Sequence, residues 1–168
     1  MSDLYISWSD YHRIIEQLAV TIYRSNWEFD QILCLAKGGL RVGDVLARLY
    51  DKPLAILSVS SYGGTGGQVR GRVRFAKHIT MTTETLGSRI LLVDDLVDSG
   101  LSLQYTVDWL EEYCQTITDL RTAVLWYKAI SVFKPYYYVD YLTDNPWIHQ
   151  PFERYEKMSP ADLSAKWE

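Results

Sequence analysis

Short apolar runs alternate along this chain with stretches in which apolar and polar residues repeat at helical spacing. From Tyr11 to Tyr23 the apolar residues recur every three or four positions, which predicts an amphipathic helix after possible caps at Ser7 and Ser9. Two further helical patterns run through residues 42–50 and 103–117. Five strand-like runs lie at residues 31–36, 53–60, 90–93, 120–127 and 136–141. This alternation predicts an α/β fold with a mostly parallel sheet flanked by helices.

Length and composition narrow the class of protein. A chain of 168 residues fits one domain, 1–168, in which residues 155–168 form a tail with no assigned role. The formal charge of -4 argues against an extended nucleic-acid-binding face. Cys34 and Cys114 are expected to be buried structural thiols in a reducing compartment. The sequence shows no signal peptide and no membrane span, so a cytoplasmic location is predicted.

The most informative stretch is residues 90–102, in which a buried strand runs into Asp94 and Asp95 and then into a small-residue turn that opens a helix. Open α/β sheets bind ligands at the carboxyl ends of their strands, and a helix start favours phosphate. Carboxylates would take the ribose hydroxyls of a sugar phosphate, and the turn its phosphate. Receiver domains also carry an acid pair, with magnesium, but at the end of their first strand and without an Asp-Ser-Gly-x-Ser turn. A fortuitous structural match is the other alternative.

Two glycine-rich stretches add to this picture. Lys37, Gly38 and Gly39 follow the first buried strand and precede a helical pattern. This repeats the strand, turn and helix of residues 90–102, with a basic residue in place of the acids. The turn could hold a diphosphate, or it could be an ordinary turn with a solvated lysine. Residues 63–71 have high backbone freedom and predict either a lid that excludes water or a hairpin connection. The alternating Arg70, Arg72 and Arg74 mark either a solvated edge or a stripe that contacts phosphate or another subunit.

Two further candidate regions lie in the later part of the chain. Lys128 follows the strand at 120–127 and is either a surface lysine or a donor to an oxo group on a ligand. Trp147 and Ile148 come after the turn at Asn145 and Pro146, and aromatic residues here belong to the core or an interface by default.

Together these motifs resemble the type I phosphoribosyltransferases, and among them the short prokaryotic xanthine-guanine and hypoxanthine-guanine enzymes. The resemblance extends to about Glu153. It implies a single-domain fold with a small hood and a flexible lid loop. It also implies purine salvage, in which phosphoribosyl diphosphate and a 6-oxopurine give a nucleoside monophosphate and diphosphate. The partners would be these two small molecules and further copies of the chain, in a homodimer or homotetramer.

The resemblance also implies roles for individual residues. Catalytic roles fall to Asp98 as general base, to Lys37, and to Tyr62, which with Ser61 begins the lid. Magnesium is the expected cofactor, near Asp95 and Glu153. The binding residues implied are Asp94 and Asp95 for ribose; Asp98, Ser99, Gly100, Leu101 and Ser102 for the 5′-phosphate; Ala36, Lys37, Gly38 and Gly39 for diphosphate, with a cis peptide at Ala36-Lys37; and Lys128, Trp147 and Ile148 for the base.

Some residues depart from the family pattern. Ser99 and Ser102 replace threonines but keep the hydroxyl groups, and Ala129 follows Lys128 where relatives often have proline. Two other hypotheses stay open. One is a regulator of the same fold that senses phosphoribosyl diphosphate or nucleotides without catalysis. The other is a relative that uses adenine or a pyrimidine. Lys128 argues against adenine, whose 6-amino group is itself a donor.

Overall fold

A computed structural model of the chain describes residues 3–61 and 73–167. The predicted lid, with Tyr62, Arg70 and Arg72, lies outside the described residues. The helices are α1 (Trp8–Arg24), α2 (Gly39–Tyr50), α3 (Leu101–Tyr113) and α4 (Pro160–Ser164), and a 3-10 helix covers Glu153–Lys157. The strands are β1 (Asp3–Tyr5), β2 (Gln31–Ala36), β3 (Leu54–Ser61), β4 (Val73–Phe75), β5 (Arg89–Val93), β6 (Leu96–Val97), β7 (Asp119–Lys128), β8 (Tyr137–Leu142) and β9 (Trp147–His149).

The large sheet has the order β4, β3, β2, β5, β7, β8, and among its described strands only β4 runs antiparallel to its neighbour. α2 connects β2 to β3 and α3 leads from β6 to β7, as parallel neighbours require. The mostly parallel α/β sheet predicted from the sequence is therefore confirmed. The carboxyl ends of β2, β5 and β7 meet at one edge, which is where the acid pair and Lys128 lie.

Alternate residues of each central strand face opposite sides of the sheet and belong to two separate cores. Ile32 and Cys34 of β2 pack with α1 and α2, whereas Leu33 and Leu35 pack with the core that includes Leu103 of α3. All four β2 residues are buried, which explains why this strand is a continuous apolar run in the sequence.

The structure corrects three details. β6 is a short strand at a position where the sequence predicts a loop after Asp95. It pairs with β7 in the same register as β5, so β6 continues β5 along β7 and the acid pair interrupts the two. Cys34 is buried as expected, but Cys114 ends α3 and is only half-buried. Lys128 is buried, with 4% of its surface exposed, and is not a surface lysine.

A second sheet of two parallel strands, β1 and β9, corresponds to the predicted hood. The Tyr5 ring of β1 stacks on the His149 ring of β9, and the two ring centroids lie 4.3 Å apart. Phe152 and the 3-10 helix follow β9, so this sheet determines where the C-terminal segment approaches the large sheet. None of the helices among the described residues is long and apolar enough to cross a membrane.

Candidate functional site

The acid pair sits at the carboxyl end of β5 and is held by the main chain of β7. The Asp94 amide donates to the Ala123 carbonyl at 3.1 Å, and the Asp95 carbonyl accepts from the Leu125 amide at 2.9 Å. Burial of the carboxyl group and the neighbouring Asp95 raise the pKa of Asp94 well above its usual range. The sheet therefore fixes two carboxyl groups side by side at a point where ionising both is costly.

The predicted diphosphate loop lies directly against this acid pair. The Ala36-Lys37 peptide is cis, as predicted. A Cβ added at Gly38 would overlap the Asp95 carboxylate, and one added at Gly39 would lie 2.5 Å from the Val93 carbonyl oxygen. A side chain at Gly39 would therefore collide with the β5 backbone, and one at Gly38 would displace the Asp95 carboxylate. Lys37 remains exposed at the edge of the loop.

The predicted phosphate loop forms the start of α3. Gly100 has a φ of +81°, and a Cβ there would meet the Ser131 hydroxyl and lie 2.7 Å from the Phe133 amide nitrogen. The Ser99 carbonyl accepts from the Val132 amide at 2.9 Å. The turn is thus braced from behind by residues 131–133. The Leu101 amide donates to Ser99 Oγ at 3.4 Å, and the amide groups at such a helix start are suited to an anion.

A cleft of about 610 Å³ opens between two walls. The strand-end wall consists of the diphosphate loop, the acid pair and neighbouring side chains. The other wall is the C-terminal segment 150–156, here termed the strap. The strand-end wall contributes Leu35, Ala36, Lys37, Gly38, Arg41, Val59, Asp94, Asp95 and Ser102, and the strap contributes Gln150, Phe152, Glu153, Tyr155 and Glu156.

The strap is attached to the strand-end wall by side chains. Gln150 Nε2 donates to Asp95 Oδ2, and the Arg41 guanidinium lies 4.2 Å from the centroid of the Phe152 ring. Phe152 also meets the buried Tyr11 edge to face, with ring centroids 5.7 Å apart. Burial and the nearby Asp95 raise the pKa of Tyr11.

Sequence reasoning missed most of these strap contacts. Arg41 lies in the first turn of α2, close after the predicted diphosphate loop, and a cation at that place in the sequence could have identified it. Gln150 and Phe152 carry no local signal. Tyr155 and Glu156, assigned in the sequence to a tail without a role, also line the cleft.

The residues predicted to bind a base lie outside the lining of this cleft. Lys128 Nζ is 3.3 Å from Asp98 Oδ1, so a buried cation pairs with a carboxylate that is 55% exposed. Trp147 presents 58% of its surface on β9, while Ile148 is buried behind it. The structure thus brings Lys128 and Asp98 into contact and leaves the Trp147 indole more than half exposed, with the His149 ring centroid 6.5 Å from its own.

The carboxylates that could hold a metal are few. Asp94 and Asp95 of the strand-end wall and Glu153 and Glu156 of the strap line the cleft. Glu153 Oε2 also lies 3.9 Å from His149 Nδ1. In residues 3–61 and 73–167 no group of three or more His, Cys, Asp or Glu side chains is arranged so that it could hold a metal ion. One or two carboxylates suit Mg²⁺, which keeps several waters and takes phosphate oxygens from a substrate.

A family model and several known proteins are similar to this chain. A family model described as phosphoribosyl transferase domain matches residues 7–157. The xanthine-guanine phosphoribosyltransferase of Idiomarina loihiensis is 25% identical over 152 residues, which cover 90% of this chain and 87% of that protein. The hypoxanthine/guanine phosphoribosyltransferase of Methanopyrus kandleri is 26% identical over 120 residues, covering 66% and 62%.

Among solved structures, the purine phosphoribosyltransferase from Pyrococcus horikoshii superposes with a TM-score of 0.71 at 25% identity. The match covers 90% of this chain and 95% of that chain. With some curated relatives the overlap is shorter: the chain spans between about half and about three fifths of their length.

Proposed function

The chain belongs to the phosphoribosyl transferase domain family, and from that premise we propose that it transfers the 5-phosphoribosyl group of phosphoribosyl diphosphate to a 6-oxopurine. Guanine, xanthine and hypoxanthine are the candidate bases. The products are the nucleoside monophosphate and diphosphate.

The contact between Asp98 and Lys128 is the observation that carries this proposal. On a 6-oxopurine the ring nitrogen N7 and the oxo group O6 lie side by side on one edge. A carboxylate 3.3 Å from an ammonium group offers one acceptor and one donor at matching separation. Adenine places an amino donor where the oxo group would be, so it would oppose the ammonium group. The pair therefore favours an oxopurine.

The reaction breaks the bond between C1 of the ribose and the diphosphate and forms a bond from C1 to N9 of the base. Positive charge grows on the sugar while negative charge grows on the leaving diphosphate. Lys37 and the amides of its loop would stabilise the leaving group, and Asp94 and Asp95 would hold the ribose hydroxyls beside the developing cation. Asp98 would accept the proton from N7 as N9 bonds to the sugar.

The remaining predicted residues would hold the two ends of the substrates. The turn from Ser99 to Ser102 would bind the 5′-phosphate with its amides and hydroxyls. The exposed Trp147 indole would stack on the base, and the Ile148 main chain would meet the ring edge. The carboxylates of Asp95 and Glu153 suit Mg²⁺, which when bound would offset the charge of the diphosphate.

The test is a nucleotide-forming assay with phosphoribosyl diphosphate, with and without Mg²⁺, across guanine, xanthine, hypoxanthine, adenine and uracil. We expect turnover of at least one 6-oxopurine that needs Mg²⁺, and none of adenine. Asp98→Asn is expected to lower kcat by roughly 100-fold or more, the usual scale for a general base, with a much smaller change in KM for phosphoribosyl diphosphate.

Asp108→Asn is the matched control, because Asp108 lies on α3 and its carboxylate only accepts from Gln104 at the surface, at 2.8 Å. It is expected to keep the parent kcat. Absence of turnover with every base would contradict the proposal, and binding of phosphoribosyl diphosphate without turnover would favour the sensor. Equal losses in kcat and in affinity for Asp98→Asn would argue against its role as base.

A further inference from the structure

Gln150, the first residue of the strap, is a buried glutamine whose side chain makes one hydrogen bond to the described residues. Only 8% of its surface is exposed. Its Nε2 donates to Asp95 Oδ2, and its Oε1 has no hydrogen-bond partner among the described residues. The polar contact that the side chain makes is therefore directed entirely at the acid pair.

Packing alone does not explain a glutamine at this position. A buried amide oxygen without a partner carries a free-energy penalty, and an apolar side chain of the same length would avoid it. Gln31 shows what a structural glutamine looks like in this chain. It is 2% exposed, its Nε2 donates to Thr83 Oγ1 at 3.0 Å, and its Oε1 accepts from the Gly87 amide at 3.0 Å.

The surroundings of Asp95 show what the Gln150 amide does. One carboxylate oxygen, Oδ2, takes the amide hydrogen, while the other, Oδ1, is the atom nearest to a Cβ built at Gly38 of the diphosphate loop. The carboxylate is thus held between the strap and that loop. A neutral donor fixes the orientation of the Asp95 carboxylate and leaves its negative charge in place. An arginine or lysine would offset that charge.

We propose that Gln150 is a positioning residue that orients the Asp95 carboxylate toward the sugar of phosphoribosyl diphosphate. The role rests on the proposed function. It also makes the strap part of the sugar site, since the amide links the strap to the strand-end wall.

The first test replaces Gln150 with methionine, which has nearly the same length and no polar atom. We expect KM for phosphoribosyl diphosphate to rise roughly tenfold, the scale of one hydrogen bond to a charged group, while kcat changes little. The melting temperature is expected to stay the same or rise, because the unpaired oxygen is gone. A purely structural role predicts the reverse: a lower melting temperature and an unchanged KM.

The second test uses Gln150→Glu, which keeps the length of the side chain and replaces the amide donor with a carboxyl group. An ionised carboxylate repels Asp95 and does not donate to it. At neutral pH, KM for phosphoribosyl diphosphate is therefore expected to rise at least as much as in Gln150→Met. A KM equal to that of the parent would overturn the proposal.

Gln31→Met is the matched control, since it removes a buried glutamine with both ends bonded and lies away from the cleft. It is expected to lower the melting temperature and leave KM unchanged. Calorimetric titration with phosphoribosyl diphosphate separates the two hypotheses. If the parent binds it without turnover, the proposed reaction fails and the Kd of Gln150→Met alone decides the positioning role. If the parent does not bind it, both fail.

Discussion

The two walls of the cleft are held in place by different kinds of contact. Main-chain hydrogen bonds of the parallel sheet fix the strand-end wall, where Asp94 and Asp95 bond to the backbone of β7. Side chains attach the strap: the Gln150 amide to Asp95, and Phe152 to Arg41. A wall built from sheet register tolerates little displacement, whereas a wall built from a few side chains depends on each of them. Substitutions in the two walls are therefore expected to differ in size and kind.

The largest effect is expected from Gly38→Ala in the strand-end wall. The added methyl group would overlap the Asp95 carboxylate, so the loop or the acid pair must move. Because a displacement of about 1 Å can cost 100-fold in rate, we expect kcat/KM to fall by roughly that factor or more. Steady-state kinetics and thermal unfolding measure the effect.

Gly43→Ala is the control, because a Cβ there would lie 2.7 Å from the Cys34 Cβ in the core. Overpacking of this kind costs about 1–3 kcal/mol of stability. It is expected to lower the melting temperature without a specific loss of kcat/KM. If both glycine variants lost activity in proportion to their stability, the close approach of loop and acid pair would have no special importance.

The second prediction concerns the acid pair. Burial and Asp95 raise the pKa of Asp94, so the folded state binds the Asp94 proton more tightly than the unfolded state. Stability contributed by that proton is present in acid and is lost as the pH rises through the raised pKa. Asp94→Asn removes the ionisation, and we expect its melting temperature to exceed the parent's by roughly 2 °C or more at neutral pH. The difference should shrink toward acidic pH.

Asp30→Asn is the opposite case. The Asp30 carboxylate accepts hydrogen bonds from the Arg89 amide, which lowers its pKa most, and from the Ser88 hydroxyl and amide. Together they hold the pKa of Asp30 below its usual range. Its ionised form stabilises the fold at neutral pH, and this contribution is lost as the pH falls through the lowered pKa. The variant is expected to melt below the parent at neutral pH and to approach it in acid. Parallel pH profiles for the two variants would contradict the sign derived for Asp94.

The difference between the walls also explains what the sequence could predict. β2 and the acid pair follow from local patterns: a buried run and two carboxylates. The cis peptide after β2 was expected from the family resemblance and not from a local pattern. The partner of Gln150 is Asp95, 55 residues away along the chain. No local pattern encodes that contact, because it depends on how β9 pairs with β1 and directs the strap over the sheet. β6 was missed for a related reason, since its two residues become a strand only through pairing with β7.

For Lys128, the tertiary structure distinguishes a buried lysine from a solvated one. A lysine at a strand end looks the same in sequence whether it is solvated or buried. Here the ammonium group is buried against the Asp98 carboxylate, and that partner comes from another strand-to-helix turn. Which charged residues meet at the edge of the sheet depends on the order of the strands. The sequence pattern does not give that order.

The smallest effect is expected from Arg41, whose guanidinium is exposed but lines the cleft beside Lys37. Arg41→Met removes a cation from the cleft lining, which under the proposed function would face the diphosphate, and also a cation–π contact with Phe152. KM for phosphoribosyl diphosphate is therefore expected to rise about 3–5-fold, with kcat nearly unchanged. Added salt should narrow this gap, because the lost attraction is partly screened. Arg48→Met on the same helix is the control: Arg48 pairs with Asp44 at the surface, 3.0 Å away, and such pairs contribute little. Equal KM values for the two variants would show that Arg41 only anchors the strap, and would make the strap wall purely structural at that point.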